Sequence, residues 1–272
     1  MLTEAEFVEQ QRSLGRRIHE HDGVFWEEVY RFYCKPAFIY RSFERGSAKP
    51  HPLRRLLGYS HQVTDETQSN RRLQVMMLER STLDAFGIQS LPGKKRNKVR
   101  RALENCQVSP INPVEGFIER MREINISQTQ RESRGAGAVV PLERYTDQAD
   151  DWRRQIRAEA RLPGREWWGA FVDGELGAYL RTYQVDGIRV IQQTKAHTDY
   201  LKKKPVDALY FHVLSQAADE PSCQRIVNGG VAHPSLNRFK EQFLFRPFDL
   251  PMYSSSAWLV DLYKRRIKGL DD

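Results

Sequence analysis

Two Asp-Gly pairs, Asp173-Gly174 and Asp186-Gly187, constrain this chain more than any other feature. They separate three runs rich in β-branched and aromatic residues, "EWWGAFV", "ELGAYLRTYQV" and "IRVIQQTKA". Asp-Gly suits a two-residue hairpin turn, because both central residues must take positive φ. The spacing therefore predicts an antiparallel meander over 166–196. "PVDALYFHVLSQAAD" comes next, with Pro205 at a helix start and Val206, Leu209, Tyr210, Val213, Leu214 and Ala217 on one face. "RIVNGG" is a further strand, followed by a short helix and a last strand-like run, "PMYSSSAWLVDLYKRR". A meander followed by a helix and another strand excludes a doubly wound parallel sheet. The predicted class is α/β, a mixed and mostly antiparallel sheet flanked by helices.

Upstream, "PGKKRNKVRRALENC" reads as a helix with Val99, Leu103 and Cys106 inward. Its other faces carry Lys94, Lys95, Arg96, Lys98, Arg100 and Arg101. "VSPINPVEGFIERMREINIS" predicts a short strand, then a helix with Phe117, Ile118, Met121 and Ile124 on one face. Residues 131–140 read as a mobile loop, and "LERYTDQADDWRRQIRAEARL" as another amphipathic helix. Residues 24–43 hold two strands, or a short helix and a strand. Residues 45–70 read as a long loop, and 72–79 as a strand.

The 272 residues suffice for one large domain or two smaller ones. No apolar run is long enough to span a membrane, and the start lacks the apolar core of a signal peptide. Cys34, Cys106 and Cys223 are too scattered for a disulfide framework or a metal-ligand spacing, so a reducing cytoplasm and no metal are expected. The net charge of +8 favours polyanions or phosphorylated small molecules as partners, and an anionic membrane surface is among them. The cluster at 94–101 lacks an accompanying nucleic-acid motif, which ranks a dedicated nucleic-acid module lower.

The segment "IVNGGVAHPSLNRFKEQFLFRP" raises a specific question: why Lys240 stands among Phe239 and Phe243 just after a glycine-rich strand end. The ordered set of "RNKVRRALENCQVSP", the meander, "YLKKKPVDALYFHVLSQAA" and "NGGVAHPSLNRFKEQFLFRP" resembles the GNAT acyltransferase fold, in its Fem-like branch of cell-wall aminoacyl transferases. The resemblance covers 72–262. It implies tandem GNAT-like halves, here a degenerate half over 1–105 and an acyltransferase domain over 106–272. Phe239-Lys240 is similar to the Fem-type Phe-Lys pair near the reacting centre. That makes Lys240 the expected oxyanion stabiliser or proton donor, with Phe239 and Asn237 as substrate contacts. Two departures stand out. Leu244 occupies a place where relatives often have glycine. Lys202-Lys203-Lys204-Pro205 replaces the glycine-rich loop that cradles coenzyme A pyrophosphate. The three lysines, with Gln192, are the expected phosphate and donor contacts.

Arg181 and Gln192 on meander strands are candidates for orienting substrate, although an exposed sheet face explains each as well. His197 and His233 are candidates for taking a proton from an amine. Asp207, in a first helical turn, is most simply a helix-dipole charge, and Cys223 has no histidine partner signature. The expected reaction is acyl transfer to an amine by direct attack in a ternary complex, with acyl-CoA the favoured donor. The acceptor would be a small molecule or a phosphorylated envelope precursor. An aminoacyl-tRNA-dependent transferase and a non-catalytic basic binding protein remain the alternatives.

Overall fold

The computed structural model describes residues 1–30, 32–132, 140–230 and 234–257. The chain packs into two compact units. The smaller comprises residues 3–75 and returns at 248, and the larger comprises 1–2 and 76–247. This is a division by packing, distinct from the division at residue 105 expected from tandem halves.

The smaller unit begins with α1 (Glu4–Ser13), closed at its start by a capping box between Thr3 and Glu6. β1 (Ile18–His21), β2 (Val24–Tyr30), β3 (Tyr33–Pro36), β4 (Ser42–Phe43) and β5 (Gly58–Val63) follow. Residues 24–43 are therefore strands. The expected loop at 45–70 contains β5, whose Tyr59 and Val63 are buried while Ser60 and Gln62 are not. That alternation lies inside a stretch dense in Pro, Gly, Ser and charge, which hid it. The sheet order is β1–β2–β3–β5–β12, with β4 beside β5 and β12 (Arg246–Ser254) antiparallel to β5. Trp26, Cys34, Ala48 and Tyr59 form its core.

β6 (Arg71–Glu79) leads into the larger unit, where α2 (Arg80–Leu83), α3 (Gly93–Asn105), β7 (Gln107–Pro110), α4 (Ile118–Glu132) and α5 (Ala149–Ala160) follow. The meander is β8 (Arg165–Val172), β9 (Glu175–Val185) and β10 (Ile188–Ala196). Asp173 and Gly174 have φ of 52° and 85°, and Asp186 and Gly187 have 44° and 80°. These are the positive values that a two-residue hairpin of this kind needs. α6 (Pro205–Asp219), β11 (Arg225–Gly230) and α7 (Pro234–Glu241) complete the unit. Its strand order is β6–β11–β10–β9–β8–β7, with β10 and β11 parallel and the meander antiparallel. The class is the mixed α/β one expected.

Helices cover both faces of this sheet. On one face Val99 and Ala102 of α3 and Leu209, Val213 and Leu214 of α6 pack with Trp168, Ala170, Leu180 and Ile191. On the other, Met121 and Ile124 of α4 and Trp152 and Ile156 of α5 pack with Trp167 and Tyr179. Period-two alternation along β8 sends adjacent tryptophans to opposite faces. The expected helix over 142–162 starts later, at Ala149, because Leu142–Arg144 form a separate 3-10 turn. The expected mobile loop falls largely on 133–139, outside the described residues.

α3 corrects one expectation. Leu103 is exposed, and the inward row is Lys95, Val99, Ala102 and Cys106. The spacings of four, three and four define one helical face as well as the apolar pattern did. The sequence placed Lys95 with the cations of the other faces because its compensating partners lie far along the chain.

Candidate functional site

In the larger unit a cavity of ≈ 320 Å³ opens where α4, α6 and α7 meet the end of β10. Its polar lining comes from Gln128, Arg131, Thr194, Lys204 and Asp207, and its aromatic wall from Tyr210 and Phe239. α6 supplies most of one side, since Pro205, Val206, Asp207 and Tyr210 all lie in its first two turns.

Directly behind this wall are two buried lysines. Lys95 of α3 is 1% exposed, and its Nζ donates to Asp207 Oδ1 at 2.7 Å. The same ammonium stands 4.0 Å from the ring centres of both Phe239 and Phe243. It is thus a cation held by one carboxylate and two aromatic faces, each an attractive partner for a desolvated charge. Burial lowers its pKa, and Asp207 opposes that shift.

Lys240 of α7 is 4% exposed. Its Nζ donates to the carbonyls of Asn228 at 2.6 Å and Gly230 at 3.2 Å, both at the glycine-rich end of β11. Burial lowers its pKa with no charged partner opposing. Asn228 in turn donates from Nδ2 to the Tyr210 hydroxyl at 3.0 Å, so Lys240 is linked to the cavity wall through a single residue. Burial raises the pKa of Tyr210, which keeps it a neutral phenol. The sequence question therefore has a divided answer. The cation between Phe239 and Phe243 is Lys95, from another helix, while Lys240 turns to the strand-end carbonyls. Leu244, where glycine was expected of relatives, has φ of 68°. The left-handed backbone that glycine would favour is present, at a cost of about 1 kcal/mol for a residue with a Cβ.

The start of α6 differs from a phosphate cradle in three ways. Lys204 takes left-handed φ of 61°. Pro205 has no N–H, and the N–H groups of Asp207 and Ala208 bind the Lys204 carbonyl at 3.0 and 3.4 Å. Most of the donors that a helix start offers an anion are thus absent or occupied. The Asp207 carboxylate adds negative charge in the same turn. Lys202 and Lys203 are exposed on the preceding 3-10 turn and do not line the cavity, whereas Lys204 does.

His197, Arg181, Gln192 and Asn237 do not line the cavity. His197 caps that 3-10 turn, with Nδ1 accepting from the Asp199 N–H at 3.4 Å. Arg181 pairs with the buried Glu159 of α5 and lies over Trp167. Gln192 is exposed and accepts from Arg165 at 3.2 Å. Asn237 is half-buried on α7, and His233 lies outside the described residues. Burial pushes the thiols of Cys34 and Cys106 up to about 11 and raises that of Cys223, so each stays protonated near neutral pH. Arg131, Gln128, Tyr210 and Lys95 were not read as site residues. Only Lys95 and Tyr210 carried a usable signal, a charge and a hydroxyl on inward helix faces.

No protein-family model matches the chain, and no curated protein matches it. Solved structures do. FemX superposes with a TM-score of 0.63 at 9% identity, over 94% of this chain and 92% of its own. The C-terminal domain (DUF2156) of an Agrobacterium fabrum protein assigned as a lysylphosphatidylglycerol synthetase gives 0.58 at 10%, over 98% and 97%. L-PGS from Bacillus licheniformis gives 0.56 at 14%, over 93% and 91%. The chain shares the fold of FemX, the Fem-like architecture that the resemblance implied. At these identities the likeness establishes architecture.

Proposed function

We propose that this protein is a transferase that moves an aminoacyl group from an activated ester to an amine in the cavity between α4, α6 and α7. The observation that carries the reading is Lys240. It is a buried ammonium with no carboxylate partner among the described residues, on the Phe-Lys pair, one residue behind a cavity wall. A desolvated charge without a partner costs stability, so its retention calls for a use. The fold shared with FemX supports the same reading.

In this reading the acceptor nitrogen attacks the ester carbonyl. The C–N bond forms, the carbonyl oxygen becomes an oxyanion, and the C–O bond then breaks. Asp207 is the carboxylate on the cavity lining and takes the proton that the amine loses. Lys240 acts through Asn228, which it holds against the Tyr210 hydroxyl on the cavity wall, and that hydroxyl donates to the oxyanion and gives a proton to the leaving alkoxide. The protonated thiols support direct attack over a covalent thioester intermediate. The spent N–H groups at the start of α6 favour a donor held elsewhere than on a pyrophosphate at that helix, as an aminoacyl-tRNA would be. Acyl-CoA is the second reading, favoured by Lys202 and Lys203 beside the same helix start.

The test is transfer of labelled amino acids from a mixture of charged tRNAs to a panel of amines, with and without ribonuclease. Ribonuclease-sensitive amide formation is expected. Transfer from acyl-CoA, insensitive to ribonuclease, would select the second reading.

A further inference from the structure

The smaller unit carries a surface feature that the transferase reading does not use. Residues 49–57, "KPHPLRRLL", form a loop around the short 3-10 turn Pro52–Arg54. Leu53, Leu56 and Leu57 are 70%, 67% and 52% exposed. With Met1, they are the most exposed large apolar side chains among the described residues. Single exposed leucines are ordinary, but three within five residues form a patch that water opposes.

The loop is held in this presentation. Leu57 N–H donates to Phe32 O at 2.9 Å and Gly58 N–H to Arg55 O at 2.8 Å. The Cys34 thiol donates to Arg54 O at 3.3 Å. Gly58, at φ of 110°, lies where a Cβ would meet Ser256 Oγ at 2.4 Å, so the sharp exit from the loop requires glycine. The backbone is thus tied down at its base while the leucines point to solvent.

Charge selects the partner. From Arg45 to Thr64 the chain has Arg45, Lys49, Arg54 and Arg55 and no Asp or Glu. Arg54 has one ion-pair partner, Glu28, at 3.7 Å, and remains half-exposed, while Arg55 lies over the Tyr59 ring. Exposed leucines with arginines beside them match the boundary between lipid head groups and acyl chains. The leucines enter the acyl region and the arginines meet the phosphates. We propose that the 49–57 loop docks this protein on the surface of an anionic lipid bilayer. The docking is peripheral, since no helix among the described residues is long and apolar enough to cross a membrane. It stands independently of the transferase reading, because lipid binding needs no turnover.

Co-sedimentation of the full chain with vesicles tests it. The vesicles are phosphatidylcholine alone, or phosphatidylcholine with about one third phosphatidylglycerol, a content that gives a negative surface potential. Binding to the mixed vesicles, and much weaker binding to phosphatidylcholine, is expected. The variant Leu53→Ser/Leu56→Ser/Leu57→Ser should bind the mixed vesicles at least about tenfold more weakly. Arg54→Gln/Arg55→Gln should weaken binding by about fivefold per arginine and flatten its salt dependence. Thermal midpoints establish that the variants are folded, and Leu53→Ser alone, at the most exposed position, replaces the triple variant if that one is unstable. Wild-type binding to mixed vesicles that survives the leucine changes would overturn the proposal, assigning attraction to net charge. So would no vesicle binding at low salt, or loss of tRNA binding in the leucine variant with vesicle binding intact.

Discussion

Lys95 and Lys240 are both nearly inaccessible to water, both lie near Phe239 and Phe243, and both have pKa values lowered by burial. Their surroundings differ in one respect. Lys95 has Asp207 and two ring faces, whereas Lys240 has two carbonyl oxygens and no opposite charge among the described residues. A buried charge with a carboxylate belongs to the packing of α3 against α6. A buried charge without one is a cost that packing does not explain. On the proposed reading the comparison separates a structural lysine from a functional one, and the sequence singled out only Lys240, through the Phe-Lys pair.

The largest expected effect is on the paired lysine. Lys95→Met leaves Asp207 buried without its partner and should destabilise the protein by about 3–5 kcal/mol, read by urea unfolding. A loss below about 1 kcal/mol would break the comparison, since surface pairs are worth that little. Lys240→Met removes an uncompensated charge and keeps an apolar stem, so its unfolding free energy should change by only about 1 kcal/mol in either direction. Transfer activity, by contrast, should fall about a hundredfold or more, the scale for losing one oxyanion donor.

The smallest effect sharpens the contrast through pH. The lowered pKa of Lys240 means that, between its folded value and the ordinary 10.5, the unfolded chain holds a proton that the folded chain has released. Unfolding then takes up a proton, and stability rises with pH through that window. Thermal midpoints in mildly alkaline buffers should therefore rise in wild type relative to Lys240→Met. A difference that stays flat as pH increases would mean that Lys240 is not desolvated in the folded protein.

What could be read from the sequence follows the range of the signals. The Asp-Gly turns, the alternation along β8 and the proline at the start of α6 are local, and the sheet of the larger unit followed from them. Leu244 was read only as a departure from a glycine common in relatives, and its left-handed φ of 68° emerged from the fold. β5 was missed because its alternation is short and surrounded by loop-forming residues. The Lys95–Asp207 pair was missed because its members are 112 positions apart, and no periodicity connects a cation on one helix with the rings of another. Likewise, Arg181 looked like a substrate contact on a strand. Its partner Glu159 lies on a preceding helix, and strand alternation gives a face without saying what covers it.

The most direct measurement is the rate of ribonuclease-sensitive aminoacyl transfer by Lys240→Met, taken well below its thermal midpoint and beside wild type. The account predicts a rate lower by about a hundredfold or more in a protein whose midpoint has moved by only a few degrees. A wild-type rate in Lys240→Met, or a loss of stability as large as that of Lys95→Met, would contradict it and make Lys240 a second structural lysine.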